Sequence, residues 1–147
     1  MKLTNFDIIS VAMSQYGIKE NTSNTVHEEK ILSYFHEIGH SWVKNDETAW
    51  CSAYWNWVIK KCDLTGTGKL NARSWLEAGE KVDIGNAVVG DTVVLWRTAP
   101  HSWKGHVGGY INHDNKFIYM IGGNQNNEVN ISSYPISRVL EIRRISK

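Results

Sequence analysis

Two groups of residues in the segment from Tyr34 to Val58, YFHEIGHSWVKNDETAWCSAYWNWV, could do chemistry, and they point to different reactions. HEIGH, from His36 to His40, fits H-E-x-x-H, in which two histidines one helical turn apart hold zinc and the glutamate acts as general base. Trp50-Cys51-Ser52 instead puts a thiol at the start of a helix. There the positive end of the helix dipole and the free backbone N–H groups favour a thiolate and can receive an oxyanion. The zinc reading is poorly supported by its own surroundings. The longer pattern requires a glycine three residues beyond the second histidine and a third ligand three further on; those positions hold Val43 and Asp46. The apolar stripe of this helix centres near Phe35, which turns His36 about 100° and His40 roughly 140° away from it, toward solvent. HEIGH therefore reads as an accident of sequence, with a zinc metallopeptidase using His36, Glu37 and His40 as the alternative.

A nucleophilic thiol needs a base, and the base needs a third polar group to fix its tautomer. His106 opens the apolar run HVGGYI just after Lys104-Gly105, and is expected at the rim of a sheet, accessible and facing a helix end. His27, His101 and His113 read as surface residues. The next run, KFIYMI, leads into Gly122-Gly123-Asn124-Gln125, so Asn124 is expected to reach the imidazole from the adjacent strand, although it also reads as part of a polar turn, NQNNE. By position alone Cys51 fits a small core residue as well as a nucleophile. Cys62 lies eleven residues on, roughly 16 Å along one helix, too far for a disulfide, and is assigned no chemistry.

These residues must be positioned by regular elements. Residues 5–16 read as a helix with Ile9, Ala12, Met13 and Tyr16 on its buried stripe, Thr4 as cap and Gly17 as stop. A second helix runs from His27 to Ile38 on Ile31, Leu32, Phe35 and Ile38, ending at Gly39. A third runs from Trp50 to Cys62 on Trp50, Tyr54, Trp57 and Val58. A short helix is expected over 72–79. From Asp91 the period changes: runs at 92–97, 106–111, 116–121, 128–132 and 139–145 are separated by turn residues and read as an antiparallel meander. Helices first and strands second describe an α+β chain.

The 147 residues suit one domain, residues 1–147. With 16 basic and 15 acidic residues and a net charge of +1, there is no electrostatic footprint of a nucleic-acid binder. The N-terminal residues lack the continuous apolar region of a secretory signal, and no run reaches the ~18 apolar residues of a membrane span. Synthesis in the cytoplasm, no membrane partner and a monomer are the expectations.

Five blocks in order, DETAWCSAYWNWV, GTGKLNARSWLEAG, GDTVVLWR, WKGHVGGYI and IGGNQNNEVNISSYP, resemble the CHAP-related proteins of the NlpC-type, papain-like cysteine peptidase superfamily. The likeness extends from YGIKE near residue 16 to the last strand. It implies a helix carrying the nucleophile packed on an antiparallel sheet carrying the histidine, and peptidoglycan as substrate and partner. The reaction would be that of an N-acetylmuramoyl-L-alanine amidase or of a stem-peptide or cross-bridge endopeptidase, without cofactor or metal. Carried over by position, the nucleophile falls on Cys51, the base on His106 and the orienting group on Asn124, a position that varies in such proteins. YFHEIG aligns with a helix having no metal role. The Cys51 N–H and Asn45 are expected to hold the oxyanion and Trp50 and Trp103 to wall the cleft, while Trp55, Trp57 and Trp75 belong to the core. A phage endolysin, a secreted effector partnered by a delivery system or immunity protein, and an intracellular amidase all fit. A non-catalytic cell-wall-binding module would not need to keep both Cys51 and His106.

Overall fold

The structure is a computed structural model that describes residues 3–20, 25–42 and 49–147. Three helices, α1 (Leu3–Met13), α2 (Thr25–His36) and α3 (Cys51–Lys61), precede six strands: β1 (Glu80–Val82), β2 (Thr92–Trp96), β3 (Gly105–His113), β4 (Phe117–Gln125), β5 (Glu128–Pro135) and β6 (Val139–Arg144). The helix expected over 72–79 is a 3-10 helix at Ala72–Glu77.

Helix α3 is the centre of the molecule. Its residues from Cys51 to Ile59 are all buried, as for a helix enclosed on every side rather than one with a single apolar stripe. Each of its large polar tips has a partner, as buried donors require. The Tyr54 hydroxyl donates to the Ala12 carbonyl at 2.8 Å and so ties α3 to α1. The Trp55 indole donates to Thr92 Oγ1 at 2.9 Å and so ties α3 to the sheet. Tyr34 of α2 packs edge-on against Tyr54 and Trp57, with ring centres 5.3 and 5.1 Å apart.

The outer helices are rotated from their expected faces. On α1 the buried residues are Asn5, Ile8 and Ala12, while Met13 and Tyr16 are exposed. The turn comes from a polar anchor that hydrophobic periodicity does not register. The Asn5 amide donates to Asp91 Oδ1 and to the Val89 carbonyl, both at 3.0 Å. Arg144 grips the fully buried Asp91 carboxylate with two hydrogen bonds, of 2.9 and 2.8 Å, a bidentate geometry that fixes direction as well as charge. On α2, Ile31, Tyr34 and Phe35 are buried, while Leu32, and Ile38 just beyond the helix end, lie at the margin of the core.

The sheet has the order β1-β6-β2-β3-β4-β5, and its pairings are antiparallel. Strands β2 to β5 form the expected meander. β6 departs from it, crossing back to lie between β2 and the short β1, which the sequence pattern did not reveal. Val94, Val107, Ile121 and Val129 pack with the helices; a second core of Val93, Leu95, Tyr110, Ile118, Met120 and Ile142 forms on the other face. Helix α3 lies so close to the sheet that two strand glycines are required by space. A Cβ on Gly109 would run into the Trp55 ring, and one on Gly123 would come within 2.7 Å of the Trp50 ring. Gly109→Ala is expected to cost about 1–3 kcal/mol of stability through overpacking. It should appear as a lower urea midpoint with an unchanged slope.

Among the described residues no helix is long and apolar enough to cross a membrane.

Candidate active site

The first residue of α3 is Cys51 itself, with Trp50 as its N-cap. The backbone N–H groups of Val107, Ser52 and Cys51 lie near enough to its thiol to favour the thiolate. Val107 follows His106 on β3, and its side chain faces the helices. The β3–β4 ladder runs from His113 only to Gly109, so the first residues of β3 have no partner on β4, and there the helix tip meets the strand. Burial raises the thiol pKa from its usual value; the three N–H groups and the nearby Arg97 charge oppose the shift without overcoming it.

His106 is buried rather than accessible at a rim, with only 6% of its surface exposed. Its Nε2 lies 2.9 Å from Gln125 Oε1. The side chain that meets the imidazole is therefore Gln125, at the position next to the expected Asn124. The surrounding hydrogen bonds fix which atom is which. Glu128 can only accept, so the Asn130 amide nitrogen faces it at 2.8 Å and the Asn130 oxygen faces the other way. That oxygen and the Asn130 carbonyl take the Gln125 amide nitrogen at 3.0 and 2.7 Å. Gln125 Oε1 is left to accept from His106 Nε2–H, which leaves Nδ1 as the unprotonated, basic nitrogen. Behind the ring, the Tyr134 hydroxyl lies 3.3 Å from Nε2.

Burial depresses the His106 pKa to about 4. The Gln125 bond opposes the shift, and the Arg97 and Arg138 charges add to it. Burial thus favours the neutral form of both the thiol and the imidazole. Among the described residues no hydrogen bond joins Cys51 to His106. His106 does not line the cavity that holds Cys51, and its ring lies with Tyr134 on the sheet face of Met120, so proton transfer requires side-chain movement that brings the two groups together.

The one-residue displacement of the orienting group has a physical cause. Side chains alternate along a strand, so Met120, Gly122 and Asn124 would share the face of His106. The β4–β5 register, however, shifts between Gly122 and Gln125, and Asn124 adopts a left-handed φ of 59°. This bulge reverses the alternation and presents Gln125 instead. The Gly-Gly-Asn run was the available signal for it.

The other expected residues separate. Trp103 is 76% exposed and lines the same cavity as Cys51. Trp50 does not wall it: the ring is fully buried, donates to Glu20 at 2.9 Å and stacks on Tyr34. Trp55, Trp57 and Trp75 are in the core. Asn45, the expected side-chain donor to the oxyanion, and Asp46 lie outside the described residues. Cys51 and Cys62 are free thiols; burial first, with Asp7 and Asp63, pushes the Cys62 thiol up to about 11, which suits an inert role.

HEIGH does not lie on one helix. Helix α2 stops at His36 and Gly39 turns the chain with φ 99°. The Glu37 carboxylate is held by the Trp57 indole at 3.0 Å and by Lys61 at 2.8 Å. The His40 ring contacts the Gly68 carbonyl at 2.8 Å through Nε2 and accepts from the Trp42 indole through Nδ1. The one-turn spacing that makes two such histidines joint ligands is lost.

A central helix packed on a six-stranded antiparallel sheet is shared with similar solved structures. The chain superposes on a Staphylococcus aureus protein described as similar to lipoprotein, NLP/P60 family (TM-score 0.57, 15% identity, 100% of this chain and 43% of that one). It is also similar to NlpC1 from Trichomonas vaginalis (0.58, 14%, 97% and 45%). A third similar structure is the P60 domain of a Mycobacterium avium paratuberculosis antigen (0.57, 13%, 97% and 93%). The protein has the NlpC-type, papain-like α+β fold. It spans less than half the length of the first two structures. No family model matches the sequence, and no curated protein matches it closely.

Proposed function

We propose that the protein is a cysteine hydrolase that cleaves an amide bond in the peptide part of peptidoglycan. The observation that carries this reading is the Gln125–His106 hydrogen bond, because it makes Nδ1 the basic nitrogen on a strand whose next N–H lies near the Cys51 thiol. The NlpC/P60 fold and the sequence blocks around Cys51 and His106 support peptidoglycan as the substrate class.

Once side-chain movement brings the two groups together, His106 Nδ1 removes the Cys51 proton, and the sulfur attacks the carbonyl carbon to form a tetrahedral adduct. The Cys51 backbone N–H at the helix tip stabilises its oxyanion. The C–N bond then breaks as the imidazolium protonates the leaving amine, and water activated by the same imidazole hydrolyses the thioester. The low His106 pKa keeps the base unprotonated at neutral pH, and Gln125 holds the ring through both transfers.

Mass spectrometry of muropeptides incubated with the protein, with and without prior iodoacetamide, tests the reading. New amine and carboxyl ends that vanish after Cys51 is alkylated are expected. Their masses distinguish amidase from endopeptidase cleavage. Unchanged muropeptides, or products formed equally by the alkylated protein, would overturn it.

A further inference from the structure

The cavity that holds Cys51 is about 180 Å³ in volume, and the charge of the described residues that line it is one-sided. Arg97 and Lys104 line it with Ala49, Asn71 and Trp103; no carboxylate does so among the described residues. The chain as a whole is almost neutral, at +1, so the positive wall is a local arrangement. Neither cation is neutralised by a carboxylate: among the described residues, Arg97 and Lys104 form no ion pair.

A third arginine shows by contrast what a structural guanidinium does here. Arg73 donates to the carbonyls of Lys104, Pro100 and Ala99 at 2.9, 3.0 and 3.2 Å. All three bonds brace the loop that carries Trp103 and Lys104, so that wall is held in place before any ligand arrives. The Lys104 amine stands over the exposed Trp103 ring, 5.8 Å from its centre, and Arg97 projects into the same space without a side-chain hydrogen bond among the described residues. An exposed guanidinium without a side-chain hydrogen bond among the described residues, beside a lysine on a braced loop, matches the planar, two-oxygen geometry of a carboxylate.

We infer that Arg97, assisted by Lys104, binds a carboxylate of the substrate next to the scissile amide, so that the enzyme selects anionic peptides over their amidated counterparts. The inference rests on Cys51 being the nucleophile, since it is the shared cavity that places the carboxylate beside the reacting carbonyl. Arg97 is a specificity residue in this account. Its charge also acts on Cys51 and His106, but that influence is the same for every substrate and cannot create a preference between two peptides.

The test uses a synthetic stem peptide with free carboxylates and the same peptide with each carboxylate amidated. Values of kcat/KM are measured for wild type, Arg97→Gln, Arg97→Lys and Lys104→Gln, and binding is measured by calorimetry on Cys51→Ala. Wild type should favour the acid form about ten- to a hundredfold, the range of one charge-assisted hydrogen-bonded pair. The ratio should fall to near one in Arg97→Gln and be partly kept in Arg97→Lys. Equal turnover of both peptides by wild type, or a preference that survives Arg97→Gln, overturns the inference while Cys51-dependent turnover still upholds the hydrolase. Arg97-dependent binding of the acid form without turnover upholds the binding site and overturns the hydrolase. Absence of both binding and turnover overturns the two together.

Discussion

Gln125→Leu is expected to lower kcat/KM on a cleaved muropeptide about 10²- to 10⁴-fold, whereas Asn124→Ala should change it by no more than a few-fold. Leucine fills a similar volume but cannot accept from His106 Nε2–H, so the imidazole loses its fixed tautomer and orientation. The Gln125 amide nitrogen also anchors to Asn130, so the melting temperature of each variant must be measured beside its rate. A folded Gln125→Leu protein with near-normal kcat/KM would show that the hydrogen bond does not serve catalysis. Cys51→Ala sets the floor: turnover should fall to background, since no other described nucleophile shares the site.

The second large effect is on stability at acid pH. In the unfolded chain His106 titrates near its ordinary value of 6.5, and in the folded protein burial holds it at about 4. Above pH 6.5 neither state carries the proton, and stability is independent of this group. Between 6.5 and 4 the unfolded state binds the proton and the folded state does not, so stability falls as pH falls. Below 4 both are protonated and the loss is complete, at about 3 kcal/mol. His106→Gln should abolish this part of the slope, measured as urea unfolding followed by tryptophan fluorescence between pH 7 and 5. That window lies above the range where Glu37 and Glu128, whose pKa values are lowered from 4.5 by hydrogen bonds to Lys61 and Asn130, begin to matter. An identical slope in wild type and variant would mean that His106 is not the buried base described. For the same reason, the acid limb of kcat/KM should lie well below pH 6.5 while the protein remains folded.

Element types were legible because they follow from local periodicity. The three helices, the five longer strands and the position of Cys51 at a helix start can all be read from residues within a few places of one another. The faces of α1 were not, because Asn5 is buried through Asp91 and Arg144, partners distant in sequence that no hydrophobic pattern encodes. Strand β1 escaped notice because three residues with two exposed side chains leave no alternating signal. HEIGH reads as an accident from the missing glycine, the angles of its histidines and the resemblance, and its residues have other partners: Trp57 and Lys61 for Glu37, Gly68 for His40.

By itself, then, the amino-acid sequence determined the α+β order of elements, the place of Cys51 at a helix start and of His106 near a strand start, and a core rich in tryptophan. Each is a matter of residue type and short-range period. Tertiary structure alone decided that Gln125 rather than Asn124 holds the imidazole, that Trp50 is sealed in the core, and that Arg97 and Lys104 share the cavity of Cys51. The first depends on a left-handed residue that inverts the strand's alternation. The other two depend on close packing and chain crossing, which join residues tens of positions apart, where no local pattern reaches.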